Sequence, residues 1–135
     1  MKDLSDFRIS YDKLSLIEPH LPNEPFKLFQ TWFEELCKSN TVLEPNAMTL
    51  STIDNENKPR NRVVLLKKFS EKGFVFYTNY KSKKGIDIKN NPNVSISFFW
   101  PSFERQVIIE GICTKISNKE SDEYFYSRPI DSQIG

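Results

Sequence analysis

The chain has 135 residues, about one domain, which can bury roughly two thirds of its unfolded surface. Lys and Arg number 19 against 18 for Asp and Glu, so the net charge of +1 gives no global field for nucleic acid or an anionic membrane. Any anion recognition must be local. No stretch approaches the ~18 apolar residues of a membrane span, and Met1 to Asp6 carries no apolar run. Cys37 and Cys113 lie far apart without a CxxC spacing, and the one histidine, His20, sits in a Pro-rich segment. A disulfide, a metal centre and a histidine-based triad are all disfavoured, and the chain reads as a soluble protein of a reducing, cytoplasmic compartment.

Residues 1–24 are polar and aperiodic, an arm ordered only by what packs on it, and residues 25–135 form the domain. Phe26, Phe29, Phe33 and Leu36 recur at helical spacing, with Leu28 and Trp32 widening the stripe, which predicts an amphipathic helix from Pro25 to about Ser39. Period two follows. Ala47 to Ile53 alternates, Asp54 to Pro59 is a turn, and Arg60 to Phe69 is a second strand. Ser70 to Gly73 turns into a strand over Phe74 to Thr78, and Ser82 to Asn91 reads as a short helix stopped by Asn-Asn-Pro. Val94 to Trp100 and Arg105 to Ile116 are two long strands joined by Pro101 to Glu104, and Ser117 with Glu120 matches a capping box opening a helix to about Ser127. Antiparallel strands with short turns and peripheral helices predict a mainly β, Greek-key-like small barrel, closed or nearly so, with the first helix packed outside it.

The candidate chemistry lies in four segments. In Arg62-Val63-Val64-Leu65-Leu66-Lys67 the cations are five positions apart, on opposite faces of a regular strand. They either address two anions or are strand-end charges in water. Tyr77-Thr78-Asn79-Tyr80-Lys81-Ser82-Lys83-Lys84 opens a helix, where backbone N–H groups, the Ser82 hydroxyl and two ammoniums make a phosphate cradle or a basic surface turn. Without GxGxxG or GxxxxGK[ST], a Rossmann site or P-loop is disfavoured. Gln106, in Arg105-Gln106-Val107, offers a donor and an acceptor to a heteroaromatic edge. Tyr124 and Arg128 share a helical face, with Ser132 beyond Pro129. They form either a phosphate-monoester site or a helix-end charge beside a packed tyrosine.

Taken together and in order, R-x-V-L-L-K, F-Y-T-N-x-x-S-x-K, N-P with an aromatic strand, R-Q-V and Y-F-x-x-R-P-x-x-S-Q-I-G, the segments resemble the pyridoxamine 5′-phosphate oxidase family over nearly all of residues 26–135. The resemblance implies an FMN-binding split β-barrel acting as a homodimer with flavin between subunits. It further implies O₂-dependent oxidation of pyridoxamine or pyridoxine 5′-phosphate to pyridoxal 5′-phosphate. By carry-over, Arg62, Val63, Tyr77, Thr78, Lys83, Lys84 and Gln106 would contact FMN, with Arg62, Thr78 and Lys84 around one concave spot. Lys67, Tyr124, Arg128 and Ser132 would hold the substrate phosphate, and Arg8 and Tyr11 would form a lid. No protein nucleophile is required. Family members continue beyond Ser-Gln-Ile-Gly into further flavin contacts and an Arg-x-His element, so weak FMN uptake with negligible turnover is the expectation for these 135 residues alone. A non-catalytic FMN-binding barrel and an inactive fragment stay open as alternatives.

Overall fold

The computed structural model describes residues 1–11 and 24–116. Helix α1 (Pro25–Ser39) lies where the aromatic stripe predicts it. Pro25 sits at the start, where an N–H would have no intrahelical acceptor, and Asn40 closes the helix in the left-handed region at φ 54°.

The strands are β1 (Ala47–Ile53), β2 (Pro59–Leu65), β3 (Lys68–Ser70), β4 (Gly73–Val75), β5 (Asn93–Trp100) and β6 (Arg105–Ile112), with α2 (Lys83–Asn90) between β4 and β5. Among the described residues they form a four-stranded sheet in the order β2-β1-β5-β6 and a two-stranded ribbon of β3 and β4. The β1–β2, β1–β5 and β3–β4 pairings are antiparallel.

Three strand boundaries differ from the sequence reading. The strand expected from Arg60 to Phe69 ends at Leu65, because the chain changes partners there. Leu66 N–H donates to the Asn46 carbonyl at 2.8 Å, the Asn46 side chain returns a bond to the Leu66 carbonyl at 2.8 Å, and Lys67 N–H turns to Val75 O, also at 2.8 Å. The alternation that set Arg62 against Lys67 therefore does not run through to Lys67. The strand expected over Phe74 to Thr78 ends at Val75, where the short ribbon runs out of partner, and β6 ends at Ile112 rather than Ile116. The helix expected from Ser117 to about Ser127 lies outside the described residues.

Chain contacts define two compact units, one of Met1–Pro45 with Phe98–Val107 and one containing Asn46–Ser97 with the described residues from Ile108 onward. In the first, Phe29, Leu36, Phe98 and Trp100 are buried, and the Phe29 ring lies 5.4 Å from Phe98 and 5.9 Å from Trp100. Arg105 fastens the start of β6 to α1 there. Its Nη1 donates to Glu35 Oε2 at 2.7 Å, and its guanidinium lies 4.5 Å from the Trp32 ring centroid and 5.1 Å from that of Phe103. In the second unit, Met48, Leu50 and Thr52 form the buried face of β1, with Leu66 and Ile96 also buried.

The β1–β2 turn is organised by Asp54. Its Oδ1 accepts from Glu56 N–H and Lys58 N–H at 2.9 Å each, and its Oδ2 accepts from Arg60 Nε at 3.1 Å. The bond from Lys58 is the largest of the influences that hold its carboxyl below the ordinary value of 3.8. A depressed carboxylate contributes stability above its unfolded pKa and loses it as pH falls through the lower folded value. Asp54→Ala is therefore expected to reduce unfolding free energy in urea titrations at about pH 7, with the difference from wild type shrinking toward about pH 3. Arg105→Ala, which removes a charge-assisted bond and two ring contacts, is expected to cost about 1–3 kcal/mol in the same measurement.

Candidate functional site

Strand β2 presents Arg60, Arg62 and Val64 on its inner side, and Asn61 and Val63 to solvent. This follows from its register with β1, in which Leu50 faces Arg62 and Thr52 faces Arg60. Each arginine reaches a buried carboxylate, Arg60 to Asp54 and Arg62 to Asp87. The Arg62 guanidinium is anchored through one nitrogen. Its Nη1 donates to Thr52 Oγ1 at 2.8 Å, Leu50 O at 3.1 Å and Arg60 O at 3.3 Å, while Nη2 stands 3.9 Å from Asp87 Oδ2. Thr52 Oγ1 in turn donates to Asp87 Oδ2 at 3.4 Å. Thr52 and Asp87 are 1% and 5% exposed, so this is an interior polar network with Arg62 as its more exposed member.

Asp87 stands on α2, whose start is built with care. Ser82 caps it, accepting from Gly85 N–H at 3.2 Å and donating to Asn79 O at 2.6 Å, and its hydroxyl lies 3.5 Å from that of Thr78. Gly85 has no room for a side chain, because a Cβ there would come within 2.6 Å of the carbonyl oxygens of Asn79 and Tyr80. The helix thus rests directly on the backbone of the preceding turn.

Of the residues singled out from sequence, Arg62 and Thr78 both contact this helix segment, and Lys83 and Lys84 stand on its first turn, Lys83 exposed and Lys84 half-buried. Lys84 and Asp87 are three apart and share a helix face. Tyr77 is half-buried in the segment between β4 and α2. Val63 does not join Arg62, since its side chain points to the other face and is 69% exposed. Lys67 is exposed just beyond the end of β2. Gln106 is exposed on β6, and Arg8 and Tyr11 are exposed in the N-terminal segment; all three belong to the first unit. Tyr124, Arg128 and Ser132 lie outside the described residues.

Sequence reasoning passed over Thr52, Asp87 and Gly85, and took Arg105 only as part of the R-Q-V motif. Thr52 had a legible signal, a polar residue in phase with Met48 and Leu50 that needs a buried partner. Cys37 and Cys113 are free thiols, and burial pushes the Cys113 thiol above its ordinary value, away from nucleophilic use. Among the described residues no group of His, Cys, Asp and Glu could hold a metal ion, and no helix is long and apolar enough to cross a membrane.

Chemically, a guanidinium with one edge uncommitted, a capped helix start and two ammoniums suit an anion with several acceptor oxygens, which is what a phosphate monoester offers. Gly85→Ala is expected to push α2 off the Asn79–Tyr80 turn, lowering stability by about 1–3 kcal/mol in thermal or urea unfolding.

A sequence profile described as pyridoxamine 5′-phosphate oxidase matches residues 37–135. A pyridoxine/pyridoxamine 5′-phosphate oxidase of Flavobacterium johnsoniae is 55% identical over 135 residues, 100% of this chain and 63% of that protein. One of Bordetella pertussis is 50% identical over 132 residues, covering 98% and 62% respectively. The chain thus spans less than two thirds of the length of these relatives. Among solved structures, PhzG from Burkholderia lata 383, determined with tetrahydrophenazine-1-carboxylic acid, superposes with a TM-score of 0.82 at 22% identity over 91% of this chain and 61% of that one. A pyridoxamine 5′-phosphate oxidase-related, FMN-binding protein of Nostoc punctiforme gives 0.60 at 18% identity, over 79% and 57%. These likenesses establish the split-barrel fold. Matched by the family profile over most of its length and by relatives half identical to it, the chain belongs to the pyridoxamine 5′-phosphate oxidase family.

Proposed function

We propose that the protein is an FMN-binding flavoprotein that oxidises pyridoxamine or pyridoxine 5′-phosphate to pyridoxal 5′-phosphate with O₂. The single observation carrying this reading is the Arg62 guanidinium, anchored through Nη1 beside the helix that starts with Ser82, Lys83 and Lys84. That donor set fits the terminal phosphate of FMN. The names borne by relatives about 50% identical support the choice of substrate.

In this reading Arg62, Thr78, Lys83 and Lys84 hold the phosphate, and Tyr77, Val63 through its backbone, and Gln106 meet the rest of the flavin. FMN, when bound, supplies the electron-accepting ring and passes the electrons to O₂. Lys67, Tyr124, Arg128 and Ser132 orient the substrate by its phosphate, so that its reacting carbon is delivered without a protein nucleophile. Residues 1–24 serve as an arm that lays Arg8 and Tyr11 over the substrate, residues 25–135 form the flavin domain, and two copies in the cytoplasm share the flavin.

Titration of flavin fluorescence tests the reading. FMN is expected to bind more tightly than riboflavin, which lacks the phosphate. Arg62→Ala should weaken FMN about 10–100-fold, the equivalent of one or two charge-assisted bonds, and Lys84→Ala should weaken it less. Equal binding of FMN and riboflavin by the unaltered protein would contradict it, as would, for the substrate assignment, the absence of pyridoxamine 5′-phosphate oxidation by the FMN-loaded chain extended to the full length of its relatives.

A further inference from the structure

We infer that Asp87, acting with Thr52, is a positioning residue that fixes the Arg62 guanidinium for a phosphate, a role resting on the FMN reading above. Asp87 is 5% exposed on a short helix of otherwise modest apolar content, and a carboxylate so placed is a poor choice for stability alone. Burying an ion pair is generally no better than burying an apolar pair of the same shape. What the carboxylate does achieve is geometric. It lies 3.9 Å from Arg62 Nη2 and accepts from the Thr52 hydroxyl at 3.4 Å, while that hydroxyl accepts from Arg62 Nη1 at 2.8 Å.

All the hydrogen bonds that Arg62 makes among the described residues leave from Nη1. Nε–H and Nη2–H, which lie along one edge of the planar group, keep their donors. That edge is the fork that meets two oxygens of a phosphate side by side. A free arginine side chain loses rotamer freedom when it is immobilised. Here the internal acceptors immobilise it before any ligand arrives. Asp87 also joins Arg62 to α2, the helix that carries Lys83 and Lys84, so one carboxylate sets the position of strand and helix donors together.

The sign of one substitution separates this role from simple electrostatics. A carboxylate beside Arg62 repels a phosphate dianion, so charge alone expects Asp87→Asn to tighten FMN binding. Positioning expects the reverse, because the amide no longer holds the guanidinium. FMN and riboflavin dissociation constants are to be measured by fluorescence for wild type, Asp87→Asn, Thr52→Val, Thr52→Ser and Asp87→Asn/Arg62→Ala, with circular dichroism to check the fold. Asp87→Asn is expected to weaken FMN about tenfold, in the range typical of residues that orient a ligand-binding group, with riboflavin unchanged within about twofold. Thr52→Val should weaken FMN selectively and Thr52→Ser should restore it. The double variant should bind FMN no worse than Arg62→Ala alone.

If Asp87→Asn fails to fold, the Thr52→Val and Thr52→Ser pair decides the matter by the same criterion. Unchanged or tighter FMN binding in Asp87→Asn, or an equal loss for both flavins, would overturn the inference while leaving the FMN reading intact. A wild-type protein that binds the two flavins equally would overturn both.

Discussion

The Arg62 guanidinium is the point at which β1, β2 and α2 are tied together, and the arrangement of the candidate site depends on it. The tie is polar and interior, which makes it demanding. Thr52 and Asp87 are buried, where an unmatched polar group costs about 1–3 kcal/mol, so each needs the others. Removing any one member leaves the rest uncompensated. Selection for such a network is easier to understand at a ligand site than in a core, because its output is a fixed direction for one charged group rather than a gain in stability.

The same economy of donors recurs along β2. Arg60 is occupied by Asp54, which also closes the β1–β2 turn, so the neighbouring guanidinium is committed to structure. Arg62, two residues on and on the same face, makes its hydrogen bonds through Nη1 and meets Asp87 only at 3.9 Å through Nη2. Two arginines of identical chemistry thus have different surroundings because of what their strand neighbours accept. In the first unit Arg105 shows a third arrangement, its charge held by Glu35 and its plane covered by Trp32 and Phe103, which sets the start of the strand that bears Gln106.

Much of the fold was legible in the sequence where local rules suffice. The α1 stripe, its Pro25 start, the Ser82 cap and the hairpin over Ala47 to Leu65 all follow from periodicity and turn chemistry. The break after Leu65 was not, since it depends on Asn46 and Val75 offering new partners, and these are brought near only by the fold. Of the candidate site, Arg62, Thr78, Lys83 and Lys84 were singled out through the spacing of motifs, whereas physical reasoning alone left each segment open between an anion site and strand or turn charges in water. Asp87 was invisible because Lys83 to Asn90 reads as a solvated helix, and only packing on β1 turns its one carboxylate inward. Arg105 was read as part of a motif, but its clamp draws on Glu35, 70 positions away.

Arg62 is inferred to be held in place before any ligand binds, with one edge left for a phosphate. Nuclear magnetic resonance of the arginine side-chain N–H groups in the ligand-free protein tests it most directly. Slowly rotating Arg62 Nη resonances are expected without ligand, and a shift of the Nε–H and Nη2–H signals when FMN, but not riboflavin, is added. A guanidinium that rotates freely in the ligand-free protein, or signals that respond equally to both flavins, would contradict it.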